Sequence, residues 1–425
     1  MNVNADNTRD VPQSEPQAKP VFWIDQGVAA VPYETYTDEA LYALEQKKLF
    51  QGPVWNFLGL ATEVPNIGDF KTASVGDTPV VLVRSAENQF SSFINRCAHR
   101  GATLCFEKTG HRENFTCVYH NWSYDLEGNL KTVAFHKGVR GIGGLPADFK
   151  HCDHNLVQLR VAEFCGLLFA TFSDDTPPLQ EFLGPEMVAH MERIFNRPIR
   201  ILGTYSQFMH NNWKLYMENV KDSYHASLLH LFFTTFKLNR LSMKGGLVLD
   251  RSGGHHISFS KMATDAGAGT DYEAGGLRAQ DDDFSLQDRS ILGNWSEFED
   301  GITHAIQGIF PNMVVQQIQN SLAIRFLVPR GVGACELFWI LFGYENDTPE
   351  QTDIRVALSN LVGPAGLVSM EDGIIGNFVQ RAIGEHPEGS TVLQMGGRTV
   401  ESQESRVSEA SVRGFWQAYR RILGI

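Results

Sequence analysis

The chain has 425 residues, 43% of them hydrophobic and 11% aromatic, a composition that supports a packed core and a length that suggests two domains. Its 36 Lys and Arg against 49 Asp and Glu leave a formal charge of −13, which argues against nucleic acid or an anionic membrane as partner. No run of about 18 consecutive apolar residues is present, so no bilayer-spanning helix is expected.

Residues 1–20 are polar and lack the basic-then-apolar pattern of a secretion signal, and they are expected to form a disordered leader. Six cysteines without such a signal do not read as a disulfide scaffold and fit a reducing, cytoplasmic setting. Residues 21–53 form an N-terminal segment whose Leu41, Leu44 and Leu49 recur at helical spacing, and it is expected to pack on the larger downstream domain. From 54 to about 172, short β-rich runs such as Val80–Val83 and Phe90–Ile94 alternate with turns such as Glu127-Gly128-Asn129, which predicts a small all-β domain. Residues 173–425 mix the two periodicities. Helices are expected over 212–223, over 352–382 with a break at Gly363-Pro364, and over 411–424, where Val412, Phe415, Trp416, Tyr419 and Ile422 share a face. Strands are expected over 247–260 and 305–345. The second domain is therefore α+β, an antiparallel sheet flanked by helices. Residues 265–290, rich in Asp, Gly and Ala, read as a long surface loop.

Two motifs carry chemistry. Cys97-Ala98-His99 is followed by Cys117-Val118-Tyr119-His120, so each of two segments supplies one thiol and one imidazole. Such a set holds either structural zinc or an iron–sulfur cluster with two Cys on one iron and two His on the other. Zinc sites usually segregate a Cys pair from a His pair, and the mixed pairs here favour the cluster. Cys105, Cys152, Cys165 and Cys335 show no partner pattern and are expected to be small buried residues. Downstream, Asp222, His225 and His230 stand close in sequence. Two His and one carboxylate on one face of Fe(II) leave positions open for dioxygen and substrate. Taken singly, His225 reads as a core histidine, Asp222 as a helix cap, and Glu218, one turn earlier, as a solvated or network carboxylate.

The first motif resembles the Rieske pattern C-x-H-x17-C-x2-H, and Asp222-x2-His225-x4-His230 resembles the D-x2-H-x4-H pattern of Rieske-type ring-hydroxylating oxygenase large subunits. The resemblance spans roughly residues 40–425, and wording such as NNWKLYMENVKDSYHASLLH is most similar to the terephthalate, anthranilate and salicylate branch. It implies a Rieske domain over 54–172 and a helix-grip-like catalytic domain over 173–425. It implies one [2Fe–2S] Rieske cluster on Cys97, His99, Cys117 and His120, and one mononuclear Fe(2+) on His225, His230 and a later acid. Asp372 is chosen for that acid, with Glu371 as the fallback, since neighbouring helix positions point about 100° apart. Asp222 is implied as a bridge from His120 of one copy to His225 of the next, which needs at least an α3 ring. A small β subunit in an α3β3 assembly is implied as well.

An aromatic carboxylate and dioxygen are the implied substrates. A buried carboxylate calls for arginine, whose planar fork gives two parallel hydrogen bonds. Arg325, alone in the apolar run Ser321–Leu327, is the first candidate, with Arg406 second and Ser258 as an added hydrogen bond. His255-His256 read as structural. The sequence shows no nucleotide-binding G-x-G-x-x-G in a strand–helix setting, so a separate reductase, with or without a ferredoxin, is expected to supply electrons. Dioxygenation is the first reading; monohydroxylation and demethylation use the same metals. A bare Rieske electron carrier would leave much of the chain without a role, and a zinc-bound interaction protein stands as a third class that metal analysis separates.

Overall fold

The computed structural model describes residue 23 and residues 27–236, 238–262 and 285–425. The expected leader and residues 265–284 of the expected loop lie outside the described residues.

Helix α1 (Glu39–Glu45) starts where the Asp38 carboxylate accepts the Leu41 amide at 2.6 Å, the usual way to satisfy an orphan amide in a first turn. It runs on into a single wide turn over Gln46–Phe50. Ten strands follow. β1 (Asn56–Leu60), β2 (Asp69–Val75), β3 (Thr78–Ala86), β4 (Gln89–Ile94), β5 (Thr109–His111), β9 (Gln158–Phe164) and β10 (Leu167–Thr171) make one sheet in the order β1-β10-β9-β4-β3-β2-β5. Between β5 and β9 in sequence, β6 (Phe115–Thr116), β7 (Ser123–Tyr124) and β8 (Leu130–Thr132) make a small second sheet.

The second part opens with α2 (Leu179–Leu183) and α3 (Pro185–Ile194), which had not been anticipated. Its sheet runs β11-β17-β16-β15-β14-β13-β12, all antiparallel, from β11 (Ile199–Met209), β12 (Gly245–Leu249), β13 (His256–Lys261), β14 (Ile302–Ile309), β15 (Met313–Ile318), β16 (Ser321–Pro329) and β17 (Cys335–Tyr344). Helices α4 (Trp213–Lys221), α5 (Ala226–Leu229), α6 (Leu231–Thr235), α7 (Pro349–Val362), α8 (Leu367–Glu385) and α9 (Ala410–Leu423) complete the chain. The break between α7 and α8 falls at the expected Gly363-Pro364.

Both faces of this sheet are covered, which explains why β15 and β16 are buried at nearly every residue, the polar Gln316, Gln317 and Arg325 included. Ile324, Ile340, Val315 and Phe342 pack against α3 and against Phe57 and Phe169 of the first domain. Val314, Ala323, Trp339 and Leu341 turn the other way, into a core shared with α1, Trp213 of α4 and Phe415 of α9. At the centre of that core the buried Glu45 carboxylate accepts from Trp213 Nε1 at 2.8 Å, Tyr419 Oη at 2.6 Å and Lys214 Nζ. A carboxylate buried this deeply is tolerated because both of its oxygens have a donor and one of the donors is the Lys214 amine. The N-terminal segment is thus pinned to the larger domain. Cys105 and Cys335 are buried as expected, whereas Cys152 is exposed and Cys165 only half-buried. Cys152 lies in a surface turn and Cys165 in the β9–β10 hairpin, where a small residue is not forced inward.

Candidate metal centres and the cavity beside them

Cys97 and Cys117 sit in two loops that repeat one another. The Cys97 amide donates to Ala102 O at 2.8 Å and its carbonyl accepts the Gly101 amide at 3.0 Å; the Cys117 amide donates to Trp122 O at 2.8 Å and its carbonyl accepts the Asn121 amide at 2.9 Å. Each loop closes through a left-handed residue, Gly101 at φ 75° and Asn121 at φ 54°, the conformation that glycine and asparagine adopt most readily. Both thiols are buried, and the Cys97 sulfur lies 3.3 Å from Tyr124 Oη. Burial pushes the Cys97 thiol up, with Cys117 beside it acting in the same direction. The two imidazoles meet edge to face at 4.6 Å between ring centres, and His99 stacks flat on Trp122 at 4.7 Å. His120 Nδ1 is shut away from water without a hydrogen-bond partner, as suits a nitrogen reserved for a metal. Sulfurs paired on one side and imidazoles on the other fit two irons.

The second centre is built on helices. Asn212 caps α4 by accepting the Lys214 amide at 3.0 Å, and α4 ends at Asp222, whose Oδ1 accepts the amides of Tyr224 at 2.8 Å and His225 at 3.3 Å. The turn so fixed delivers His225 and His230, and α8 brings Asp372 up to both. Asp372 Oδ1 is 3.4 Å from His225 Nε2 and 3.3 Å from His230 Nε2. The ligand atoms of these three residues lie within 4.8 Å of one another, the one such set of three among the described residues. Glu371 points elsewhere, to His230 Nδ1 at 2.7 Å, and His225 Nδ1 faces Asp222 Oδ2 at 3.7 Å. Each histidine therefore turns one nitrogen to the centre and the other to a carboxylate, the arrangement that sets orientation and basicity in metal sites. Asn219 Nδ2, one turn before Asp222, donates to Asp372 Oδ1 at 3.1 Å.

The electrostatics of the second centre call for a cation. Burial opposes a charge on His230, yet Asp372 and Glu371 raise its imidazole to about 9. Burial alone would push Asp372 up, but the two histidines hold its carboxyl well below the usual carboxylate range. Burial raises Asp222, although His225 and two backbone amides pull it back. A ferrous ion bound to two neutral imidazoles and a carboxylate meets the same demand. Glu218 proves to be a network carboxylate, accepting from Tyr36 Oη at 2.7 Å and from Trp416 Nε1.

A cavity of about 80 Å³ lies between this centre and the helix-facing side of the sheet, room for roughly five to eight waters and so for one small ring. His225, His230, Asp372, Asp222, Arg325, Ser258 and Arg406 all line it. Arg325 is buried, donates Nη1 to Tyr216 Oη at 2.9 Å and lies over the Trp339 ring at 4.9 Å. Its Nε has no partner, which costs about 1–3 kcal/mol in the absence of a ligand. Arg406 is held by Asn239 Oδ1 at 2.6 Å and by the Arg240 carbonyl. His255-His256 lie apart from the cavity lining, with His255 bonded to Phe182 O and Phe310 N and His256 to Lys221. Sequence reasoning missed Asn219, Tyr216, Gln316, His304 and Ser260. The last three could have been found by counting alternate positions from Arg325 and Ser258 across paired strands.

On the other side of Asp222 and His225 a second hollow opens, bounded by Glu218, Tyr224, Ile375, Val379 and Glu409. Phe378 beside it is 63% exposed, as are Val118 (71%) and Tyr119 (56%) next to His120.

Residues 54–142 match the Rieske [2Fe-2S] domain family, and residues 199–425 match the catalytic domain of the ring hydroxylating alpha subunit. The chain is 49% identical over 405 residues to terephthalate 1,2-dioxygenase, terminal oxygenase component subunit alpha 2, of Comamonas sp, covering 95% of this chain and 98% of that one. It is 46% identical to the anthranilate 1,2-dioxygenase large subunit of Burkholderia cepacia, covering 93% of each. It is 38% identical to the large oxygenase component of salicylate 5-hydroxylase of Ralstonia sp, covering 97% and 100%. Naphthalene 1,2-dioxygenase from Rhodococcus sp. shares the fold, with a TM-score of 0.76 at 19% identity over 93% of this chain and 94% of that one.

Proposed function

The chain belongs to the large (alpha) subunits of Rieske-type ring-hydroxylating oxygenases, oxidoreductases that carry a [2Fe–2S] cluster and a mononuclear iron, and on that premise we propose that it hydroxylates an aromatic carboxylate, first of all by dioxygenation. The observation that carries this reading is Arg325, a guanidinium buried in the cavity of the triad, fixed by Tyr216 and Trp339 and left with an unpaired Nε. A carboxylate takes such a group in a two-point grip. The relatives named for terephthalate, anthranilate and salicylate all act on ring acids.

When bound, the cluster relays electrons and the ferrous ion activates dioxygen. Cys97, Cys117, His99 and His120 hold the first group; His225, His230 and Asp372 hold the second. Glu371 orients His230 through a hydrogen bond at Nδ1, and the Asp222 carboxylate faces Nδ1 of His225 at 3.7 Å. Asp222, fastened through Oδ1 to two amides, keeps Oδ2 at the seam between the inner cavity and the outer hollow. In our reading that hollow receives His120 of a neighbouring copy, so that Asp222 links two subunits of an α3 ring. A small β subunit completing α3β3, and a separate reductase with or without a ferredoxin, belong to the same reading.

The test is product analysis with holoenzyme, a reconstituted reductase, substituted benzoates and isotopically labelled dioxygen. Two labelled oxygens in the product identify dioxygenation, and one identifies the alternative, monohydroxylation. No oxygenated product from any ring acid would sink the proposal. Arg325→Ala is expected to weaken binding of the acid about ten- to a hundredfold, the range for losing a charge-assisted hydrogen bond.

A further inference from the structure

We propose that Trp416 and Tyr36, with Glu218 as their shared base, form a one-electron donor beside the mononuclear centre, which gives up an electron when oxygen chemistry there finds no ring to attack and so spares the metal-binding side chains from oxidation. The proposal rests on the mononuclear centre and not on the identity of the ring acid.

Helix α4 joins the donor to the centre. Asn219 donates to Asp372 Oδ1 at 3.1 Å. Glu218, the residue before it, turns inward and accepts from Tyr36 Oη at 2.7 Å and from Trp416 Nε1. The Tyr36 and Trp416 rings meet edge to face at 5.7 Å between centres, and both are fully buried. Trp23, also 5.7 Å from Trp416, is only half-buried and leads outward. A branch of the same design adjoins them. Trp213 Nε1 and Tyr419 Oη both donate to Glu45, and the Tyr419 ring lies 5.0 Å from Trp416.

Indole and phenol are the ring side chains that lose an electron most readily, and more readily still when a base takes the departing proton. Trp416 and Tyr36 already aim that proton at a carboxylate. Packing alone does not call for this arrangement, since burying a carboxylate is costly and phenylalanine or leucine could fill the space without one. Reduction of a peroxide molecule to two waters takes two electrons, with both protons drawn from solvent. The ferrous ion gives one electron and the aromatic pair the other, while the Trp416 or Tyr36 proton moves to Glu218. The Arg420 guanidinium, 4.5 Å over the Trp23 ring, disfavours further positive charge there, so the deficit rests on the inner pair. A thiol in solution restores the electron and proton by way of Trp23, its S–H bond breaking and two thiyl radicals pairing as a disulfide.

The test treats ferrous holoenzyme, without a ring acid, with hydrogen peroxide at a pH above about 7, where Glu218 is ionised. Freeze-quenched samples are read by electron paramagnetic resonance, and the protein by peptide mass spectrometry. The wild type should show a tyrosyl or tryptophanyl radical, with added oxygen at Trp416, Tyr36 or Trp23. Trp416→Phe with Tyr36→Phe should lose the radical and carry its added oxygen on His225 and His230 instead. Glu218→Gln keeps an acceptor for both donors but is a far poorer base, so it should weaken the radical signal in a protein at least as stable as the wild type. A purely structural role would leave that signal unchanged. Oxidation confined to His225 and His230 in the wild type, or an undiminished radical in Glu218→Gln, would overturn the proposal without any need for the double variant to fold. A radical that survives the double change would overturn it too, as would one that persists after a chelator has stripped iron from the mononuclear centre.

Discussion

The two metal centres are assembled in opposite ways. The Rieske loops are local and self-similar, each closed by its own pair of backbone hydrogen bonds and its own left-handed residue, with a histidine exposed or half-exposed at each tip. The mononuclear centre is charged, buried and long-range, because Asp372 reaches His225 and His230 only through the packing of α8 against α4. Local turns fix the first site; the whole second domain fixes the other. The difference teaches that the two should fail independently.

The sharpest way to break that comparison is to remove one donor from each. Asp372→Ala should lower iron from about three to about two atoms per chain and reduce turnover to background, leaving the Rieske paramagnetic signal intact. Cys117→Ser should do the reverse, erasing the signal and sparing the single ferrous ion. Loss of both groups in either variant would mean the centres are not independent. Asp222→Asn should be next in size, lowering turnover about a hundredfold, the range for lost metal-orienting partners, with metal content and signal unchanged. Normal product formation in that variant would remove Asp222 from the link between subunits.

Legibility in the sequence followed the same division. Cys97, His99, Cys117 and His120 could be read because their spacing is the geometry of two short loops. His225 and His230 were visible only as neighbours of Asp222. Choosing between Glu371 and Asp372 was beyond local reasoning, since helical spacing says that they diverge but not which one faces His225; the fold turns Asp372 to both Nε2 atoms and Glu371 to a histidine's outer nitrogen. The helices at 179–194 were missed because residues such as Met187, His190 and Met191 face a core formed with the distant β14–β16 strands. Arg325 stood out as one charge in an apolar run. Its cavity partners Gln316, His304 and Ser260 did not, because polar residues on strands usually face solvent, and only the register of four strands shows that these share a covered face.

A smaller effect sharpens the comparison at the second centre. Glu371→Gln keeps the shape of the side chain but replaces the carboxylate at His230 Nδ1 with a neutral oxygen. Ferrous iron should bind about ten- to a hundredfold more weakly, measured by competition with a chelator. The Rieske signal should not change. Unaltered iron affinity would show that α8 positions Asp372 without help from its neighbour.

The smallest expected effect comes from Glu218, which lies below the mononuclear centre and touches neither metal group. Burial raises its carboxyl from 4.5 to about 7, partly offset by Tyr36, Trp416 and Lys214, with Asp222 pushing it further up. A carboxyl raised on folding contributes stability that is fully present below its unfolded value and is lost as pH rises through the folded one. Wild-type stability should therefore decline between about pH 4.5 and 7, by at most on the order of 3 kcal/mol. Glu218→Gln preserves an oxygen for both the Tyr36 and Trp416 donors and cannot ionise. Its melting temperature should match the wild type near pH 5 and exceed it near pH 8. Parallel curves for the two proteins across that window would mean that Glu218 is already charged in the folded state, and that Lys214 and its two donors outweigh its burial.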